Sequence, residues 1–238
     1  MFVILPFEKE FYSRYNYAVD FVGHPLLDVI NDQQKLQDGR MFRQKNNLGD
    51  KPLVALLPGS RKQEIRMVLD IMLQLTPEFP DYQFVIAEAP SVTEEFYKSV
   101  IGNRPVKMIA GQTYDLLNNS EAALVTSGTA TLETALFGIP QVVCYKGSRL
   151  SYMLARMVVH VKFISLVNLI MDQPLLTELI QGDLTPGNLK TELASLLGNT
   201  EKRKQMLQSC LLLRQKLGGR GASERTAGMM VRYLKETL

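Results

Sequence analysis

Two short apolar runs, Pro52–Leu57 (PLVALL) and Ala122–Val125 (AALV), each break off near a Gly/Ser pair, and helical spacing takes over at once. A strand with no polar side has no face it can turn to water. It must be covered on both sides, as in a parallel sheet sandwiched between helices. After Pro58-Gly59-Ser60-Arg61 the apolar residues recur as Ile65, Val68, Leu69, Met72 and Leu75, a single helical stripe. After Ser127-Gly128 a second helix is predicted over Thr129–Phe137, with Glu133 on its second turn. The same alternation continues along the chain. Further strands are predicted at Phe2–Pro6, Val19–Val22, Tyr82–Ala87, Val106–Ala110 and Gln141–Tyr145. Further helices are predicted at Val92–Ile101, Tyr114–Asn118, Leu189–Leu197, Lys202–Leu217 and Ala222–Leu238. This is the pattern of an α/β fold, a Rossmann-like parallel sheet with helices on both faces. The polar stretch Asn31–Lys51, rich in Gln, Asn, Asp and Lys, reads as a linker or surface loop.

The two strand-to-helix turns carry the chemistry. Small residues let backbone approach a ligand closely, and the start of a helix offers unpaired N–H groups to an anion. Gly59 and Ser60 lead into Arg61, a cation where the helix dipole disfavours one, so Arg61 is either solvated or held for an anionic ligand. Ser127, Gly128 and Thr129 offer amides and hydroxyls, and Glu133, six residues after Ser127, can face the same crevice without sitting on the phosphate. Together they suit a nucleoside diphosphate, with amides and arginine on the phosphates and a carboxylate on the ribose hydroxyls. The plainer reading stays open for the second turn: Ser127 or Thr129 as N-cap and Glu133 as a solvated helix residue. Neither turn is a Walker loop or a GxGxxG fingerprint, which argues against P-loop and dinucleotide redox chemistry.

Composition narrows the classes further. A formal charge of +3 across 238 residues does not argue for nucleic acid as a partner. Cys144 and Cys210 lie far apart in apolar surroundings, with no CxxC and no Cys/His cluster, so neither a disulfide framework nor a metal site is expected. A reducing cytoplasm suits that cysteine usage. No apolar run reaches the length of about 18 residues that a spanning helix needs.

LLPGSR at Leu56–Arg61 and SGTATLE at Ser127–Glu133 resemble the donor-binding half of lipid A disaccharide synthase, a family of GT-B glycosyltransferases. ILPFE (Ile4–Glu8), FVGHP (Phe21–Pro25), SLVNLI (Ser165–Ile170), ELIQ (Glu178–Gln181) and GASERTA (Gly221–Ala227) extend the resemblance along nearly the whole chain. It implies the C-terminal half of a GT-B fold. Residues 1–24 would be a remnant of the N-terminal domain with the hinge, 25–220 the UDP-sugar-binding domain, and 221–238 a C-terminal helix packing on the N-terminal domain or a partner chain. In the family ILPFE closes the first domain, so most of that domain is expected to be missing, and the general base with it. No catalytic residue is therefore expected in this chain, and neither metal nor cofactor.

The activity the resemblance implies is inverting transfer of 2,3-diacylglucosamine from UDP to 2,3-diacylglucosamine 1-phosphate, giving a β-1,6 disaccharide. Its expected partners are the UDP-2,3-diacylglucosamine donor and a lipid-linked acceptor. It further implies a cytoplasmic protein touching the inner membrane of a Gram-negative bacterium, and a homodimer formed by exchange of C-terminal segments hinged at Gly218–Gly221. By the same resemblance Asn168 and Gln181 join the donor site, Gln181 from the end of a short helix. From the residues alone Asn168 could equally cap a helix turn and Gln181-Gly182 could be a helix stop.

Three other features have plainer readings. His24, between Gly23 and Pro25, is expected to shape the interdomain hinge, and His160 to be structural. Arg149–Lys162 (RLSYMLARMVVHVK) suits a helix packed on the sheet better than one lying on an anionic membrane surface or lining a lipid-substrate groove. The basic Lys202–Arg214 helix reads as a solvated face. Two rival functions remain. One is another GT-B enzyme, such as a UDP-N-acetylglucosamine 2-epimerase or the transferase that forms lipid II. The other is a non-catalytic UDP-sugar-binding or oligomerisation module.

Overall fold

The computed structural model describes residues 1–32, 39–148 and 162–237. A small parallel pair opens it, β1 (Phe2–Val3) beside β2 (Asp20–Phe21), separated by α1 (Glu8–Ser13). Next come α2 (Leu26–Asp32) and α3 (Gly39–Lys45), then β3 (Leu53–Leu57), α4 (Lys62–Leu73), β4 (Gln83–Glu88), α5 (Glu94–Ile101), β5 (Lys107–Ala110) and α6 (Thr113–Asn118). The second half holds β6 (Ser120–Thr126), α7 (Thr129–Leu136), β7 (Gln141–Tyr145), α8 (Leu166–Met171), β8 (Glu178–Ile180), α9 (Pro186–Leu196), α10 (Glu201–Lys216) and α11 (Ala222–Thr237).

The main sheet has the order β5-β4-β3-β6-β7-β8, and every pairing in it is parallel. From β3 the chain winds outward through β4 and β5. It then returns to the centre at β6 and winds the other way through β7 and β8. Adjacent β3 and β6 therefore leave their C-terminal ends toward opposite sides of the sheet. That is a topological switch point, where open α/β sheets form their ligand crevice.

The central strands bury both faces, as their unbroken apolar runs require. Val54 and Leu56 belong to one core cluster while Leu53, Ala55 and Leu57 belong to the other. Ala122 and Leu124 are likewise divided from Ala123 and Val125. The larger cluster sits under residues of α4, α5, α7, α9 and α10. The smaller holds Phe42 of α3 with Leu116 and Leu117 of α6.

Four sequence expectations change here. Asn31–Lys51 is not simply a linker, because α3 lies within it. Met41 and Phe42, side by side among polar neighbours, give no helical stripe, yet Phe42 is fully buried against the sheet. Glu178–Ile180 forms an edge strand on β7, so Gln181 follows a strand and does not end a helix. It takes φ +52° and donates its N–H to the Tyr145 carbonyl at 2.8 Å. Leu189–Leu197 begins earlier, at Pro186, where a proline without an N–H costs nothing and the Thr185 hydroxyl caps Asn188 N–H at 3.2 Å. The segment SLVNLI is a short helix capped by Ser165, whose Oγ accepts from Asn168 N–H at 3.3 Å, so Asn168 is not the cap. Residues 149–161, including His160 and nearly all of the amphipathic Arg149–Lys162 stretch, lie outside the described residues.

The C-terminal helix returns to the start of the chain. The Asp28 carboxylate accepts from Gly221 N–H at 2.6 Å, and the Arg225 guanidinium donates to the Val22 carbonyl at 2.9 Å. Tyr233 donates to Asp20 at 2.6 Å and stacks on Phe2, ring centroids 6.1 Å apart. His24 sits at this junction, buried, with its backbone N–H on the Leu217 carbonyl at 3.0 Å and its ring Nδ1 accepting from Leu26 N–H at 3.2 Å. Desolvation lowers its pKa and outweighs the opposite pull of Glu8; burial thus favours the neutral ring that this accepting Nδ1 requires. The α10 helix is not wholly solvated either: Met206, Cys210 and Leu213 are buried, while Arg203 reaches the Glu121 carbonyl at 2.6 Å.

Candidate functional site

The turn after β3 and the turn after β6 meet at the switch point and line one cavity of about 420 Å³. Its wall includes Gly59, Ser60, Arg61, Ser127, Gly128, Thr129 and Glu133, and also Glu64, Glu88 and Thr113. A larger groove of about 1170 Å³ runs past Lys51, Tyr82, Arg104 and Lys107. It opens at the N-terminal ends of the strands beside the end of α4, away from the crevice side of the sheet. Size alone does not make it the site.

Local backbone explains the glycines. Gly59 has φ +106°, and a Cβ there would come within 3.1 Å of Glu64 Oε2 and 3.4 Å of Thr126 Cγ2. Gly128, at φ 153° and ψ −163°, occupies a corner open essentially to glycine alone. Gly128 and Arg61 are the N-cap residues of α7 and α4, and neither makes a side-chain cap hydrogen bond. The first-turn amides of both helices thus have no capping side chain, and both helix starts border the same cavity. The plainer reading of the second turn does not hold in its first part, since neither Ser127 nor Thr129 is the N-cap. Ser127 Oγ instead donates to the Ile164 carbonyl at 2.8 Å, tying the turn to the segment before α8. Thr131 Oγ1 bonds the Gly128 carbonyl at 2.8 Å, and Gln141 Nε2 holds the Thr131 carbonyl at 2.8 Å, which pins the start of α7.

Electrostatics divide the cavity. Arg61 is the one cation among its described lining residues, and it pairs with Glu64 at 2.8 Å while its side chain stays 78% exposed. Glu133 is only half-exposed, not a solvated helix residue. Burial raises its pKa, and the neighbouring Tyr114 hydroxyl lowers it in part. Tyr114 is pushed up to about 12, first by burial and then by the Glu133 charge. Burial also raises Glu88, with Glu94 adding to it. Arginine and uncapped amides make one wall anion-attracting, and Glu133 on the next turn of α7 offers acceptor oxygens to hydroxyl groups. Among the described residues no group of His, Cys, Asp and Glu is arranged to hold a metal ion.

Two expected residues are not brought into this cavity. Asn168 is fully buried, its Nδ2 donating to the Leu176 carbonyl and to Glu178 Oε1, each at 2.9 Å, and its Oδ1 accepting from Leu176 N–H at 2.8 Å. Glu178 in turn accepts from Ile164 and Ser165 N–H, each at 2.9 Å. Asn168 therefore braces the segment to which Ser127 is tied. Gln181 stands at the C-terminal end of β8, its Nε2 buried without a hydrogen-bond partner among the described residues. Sequence reasoning missed Glu64, Glu88 and Thr113. Glu64 was accessible to it, because a carboxylate three residues after Arg61 on a helix is its natural ion-pair partner. Glu88 and Thr113 carry no local signal; they join the site only because β4 pairs with β3 and β5 in turn with β4.

The strand order and its crevice place the chain in a class: it has the fold of the C-terminal half of a GT-B protein. Solved structures agree. The putative UDP-N-acetylglucosamine 2-epimerase of Listeria monocytogenes superposes with a TM-score of 0.65 at 17% identity, over 99% of this chain and 59% of that one. The calicheamicin glycosyltransferase CalG4 gives 0.59 at 18%, over 98% and 52%. The family profile of Lipid-A-disaccharide synthetase matches residues 1–229. The lipid-A-disaccharide synthase of Syntrophus aciditrophicus is 41% identical over the whole of this chain and 63% of its own length. That of Anaeromyxobacter sp. strain K is 36% identical over 95% of this chain and 60% of its own. The chain belongs to the lipid-A-disaccharide synthase family of glycosyltransferases, and it spans about three-fifths of the length of these curated relatives.

Proposed function

We propose that this chain is the donor-binding part of a lipid-A-disaccharide synthase and holds the UDP moiety of UDP-2,3-diacylglucosamine. The observation that carries the reading is the meeting of two uncapped helix starts, Arg61 and Glu133 in one crevice at the switch point. The diphosphate lies against the first-turn amides after Gly59-Ser60 and after Ser127-Gly128, with Thr129 beside it. Arg61 exchanges its exposed contact with Glu64 for a phosphate oxygen, and Glu133 accepts from the ribose hydroxyls. Asn168 and Gln181 act from behind this layer, Asn168 by bracing the chain that holds Ser127.

In the transfer, a hydroxyl of 2,3-diacylglucosamine 1-phosphate attacks the anomeric carbon as the bond to the diphosphate oxygen breaks. Charge grows on the leaving UDP, where amides and Arg61 stabilise it most. The acceptor proton passes to a general base in the N-terminal domain of the family, and the anomeric centre inverts to a β-1,6 linkage. The chain by itself binds UDP but turns over weakly or not at all. The acceptor and donor lipids imply contact with an inner-membrane surface, and no described helix is long and apolar enough to cross a membrane.

The structural likeness to 2-epimerases, below 20% identity in each case, supports the fold and not their reaction. Titration of the chain with UDP tests the reading. Arg61→Ala and Glu133→Ala should each weaken binding by about 1–3 kcal/mol. Unchanged affinity in both moves the site elsewhere, and robust disaccharide formation by the chain refutes the dependence on an N-terminal domain.

A further inference from the structure

We propose that Thr126, the last residue of β6, is a phosphate-contact residue: its hydroxyl donates to the diphosphate where the starts of α4 and α7 meet. This rests on the reading of the crevice as a UDP site. Side chains alternate along a strand, so Thr126 shares a face with Ala122 and Leu124. Those two belong to the larger core cluster, with Ile65 and Leu69 of α4 and Leu132 and Ala135 of α7. The Thr126 side chain therefore points into the layer that holds both uncapped helix starts. It lines the crevice, and its methyl Cγ2 stands 3.4 Å from where a Cβ on Gly59 would be.

Thr126 is only 3% exposed, and its hydroxyl has no hydrogen-bond partner among the described residues. The neighbouring buried threonines are satisfied: Thr131 Oγ1 donates to the Gly128 carbonyl and Thr134 Oγ1 to the Ala130 carbonyl, each at 2.8 Å. A buried hydroxyl without a partner costs stability, and valine would fill the same space without that cost. Packing alone therefore does not account for a threonine here, whereas an anionic acceptor does, since hydrogen bonds to charged groups are the stronger ones. One staggered step about the Cα–Cβ bond sets the hydroxyl where the methyl now stands, beside Gly59. The step breaks no hydrogen bond within the described residues, because the hydroxyl makes none there. Gly59, at φ +106° and without a Cβ, keeps that space clear. Arg61 then meets the diphosphate from the exposed side and Thr126 from the buried one.

The test titrates UDP and inorganic pyrophosphate into the wild-type chain, Thr126→Val, Thr126→Ser and Arg61→Ala by calorimetry, with thermal melts of each in the absence of ligand. Thr126→Val keeps the shape and removes the hydroxyl; Thr126→Ser keeps the hydroxyl and removes the methyl. Thr126→Val should melt about 2–4 °C higher than wild type, because an unsatisfied buried group is gone. It should also bind both UDP and pyrophosphate about 10- to 100-fold more weakly, the worth of a hydrogen bond to a charged group. Thr126→Ser should stay within about threefold of wild type for both ligands. Unchanged UDP affinity in Thr126→Val beside a clear loss in Arg61→Ala overturns the role of Thr126 and leaves the UDP site standing. Weaker binding with a lower melting midpoint in Thr126→Val, or equal losses in the valine and serine variants, assigns Thr126 to structure and also overturns it. A loss for UDP but not for pyrophosphate moves the hydroxyl off the phosphates, against the proposal. Unchanged affinity in both Thr126→Val and Arg61→Ala removes the reading of the crevice itself, and this proposal with it.

Discussion

Asn168→Ala separates a bracing role from a ligand-contact role more sharply than any change at the crevice. In the native chain the Asn168 amide satisfies the N–H and carbonyl of Leu176 and donates to Glu178. Both Asn168 and Leu176 are buried, so water cannot replace the lost partners without entering the core. Truncation leaves one backbone donor and one backbone acceptor unsatisfied, at about 1–3 kcal/mol each. Glu178 keeps its bonds from Ile164 and Ser165, so its share of the loss is smaller. The expected destabilisation is about 3–5 kcal/mol, a large part of the roughly 5–15 kcal/mol that holds a typical domain together. Urea unfolding followed by circular dichroism reads this as a fall in the midpoint at nearly constant slope. At a temperature where the variant is still folded, its UDP affinity should stay within about threefold of wild type, because Asn168 does not line the crevice. A loss of stability below about 1 kcal/mol together with a tenfold loss of UDP binding would refute the reasoning and return Asn168 to the ligand.

Two other outcomes follow from the charges in the crevice. Glu64 competes with an incoming phosphate for Arg61, so Glu64→Gln should tighten UDP binding about two- to fivefold, as expected for an exposed ion pair, in a titration at low salt; weaker binding would show that Glu64 itself touches the nucleotide. Glu133 has its folded pKa raised by burial, so its contribution to stability is fully present below the ordinary value of 4.5 and is lost as pH rises through the folded value. Glu133→Gln should therefore melt higher than wild type at pH 7 without ligand, by at most about 1 kcal/mol given its part exposure. That gain should fade on acidification toward pH 4.5, and a gain independent of pH would rule out the burial of charge as its cause.

The sequence alone determined the layer architecture, because PLVALL and AALV have no polar face to give to water and each is followed by a one-sided helix. It also determined where backbone and ligand can come close, since Gly59 and Gly128 take conformations that side chains resist. Arg61 and Glu133 were legible as candidates for the same reason: each sits at or just past such a turn, and both line the cavity.

The tertiary structure alone decided that these two turns share a crevice. That follows from β6 pairing with β3, and parallel pairing across intervening elements leaves no mark in local periodicity. Nor does composition show that α3, polar except for Met41 and Phe42, covers the second face of the sheet, because one buried ring is enough to seat it. Asn168 and Gln181 belong to that second category as well. An asparagine in an apolar hexapeptide and a glutamine before glycine read equally as ligands, caps or stops until their partners are seen. Those partners, Leu176, Glu178 and the Tyr145 carbonyl, are chosen by how β8 closes the edge of the sheet, not by the residues beside them in the chain.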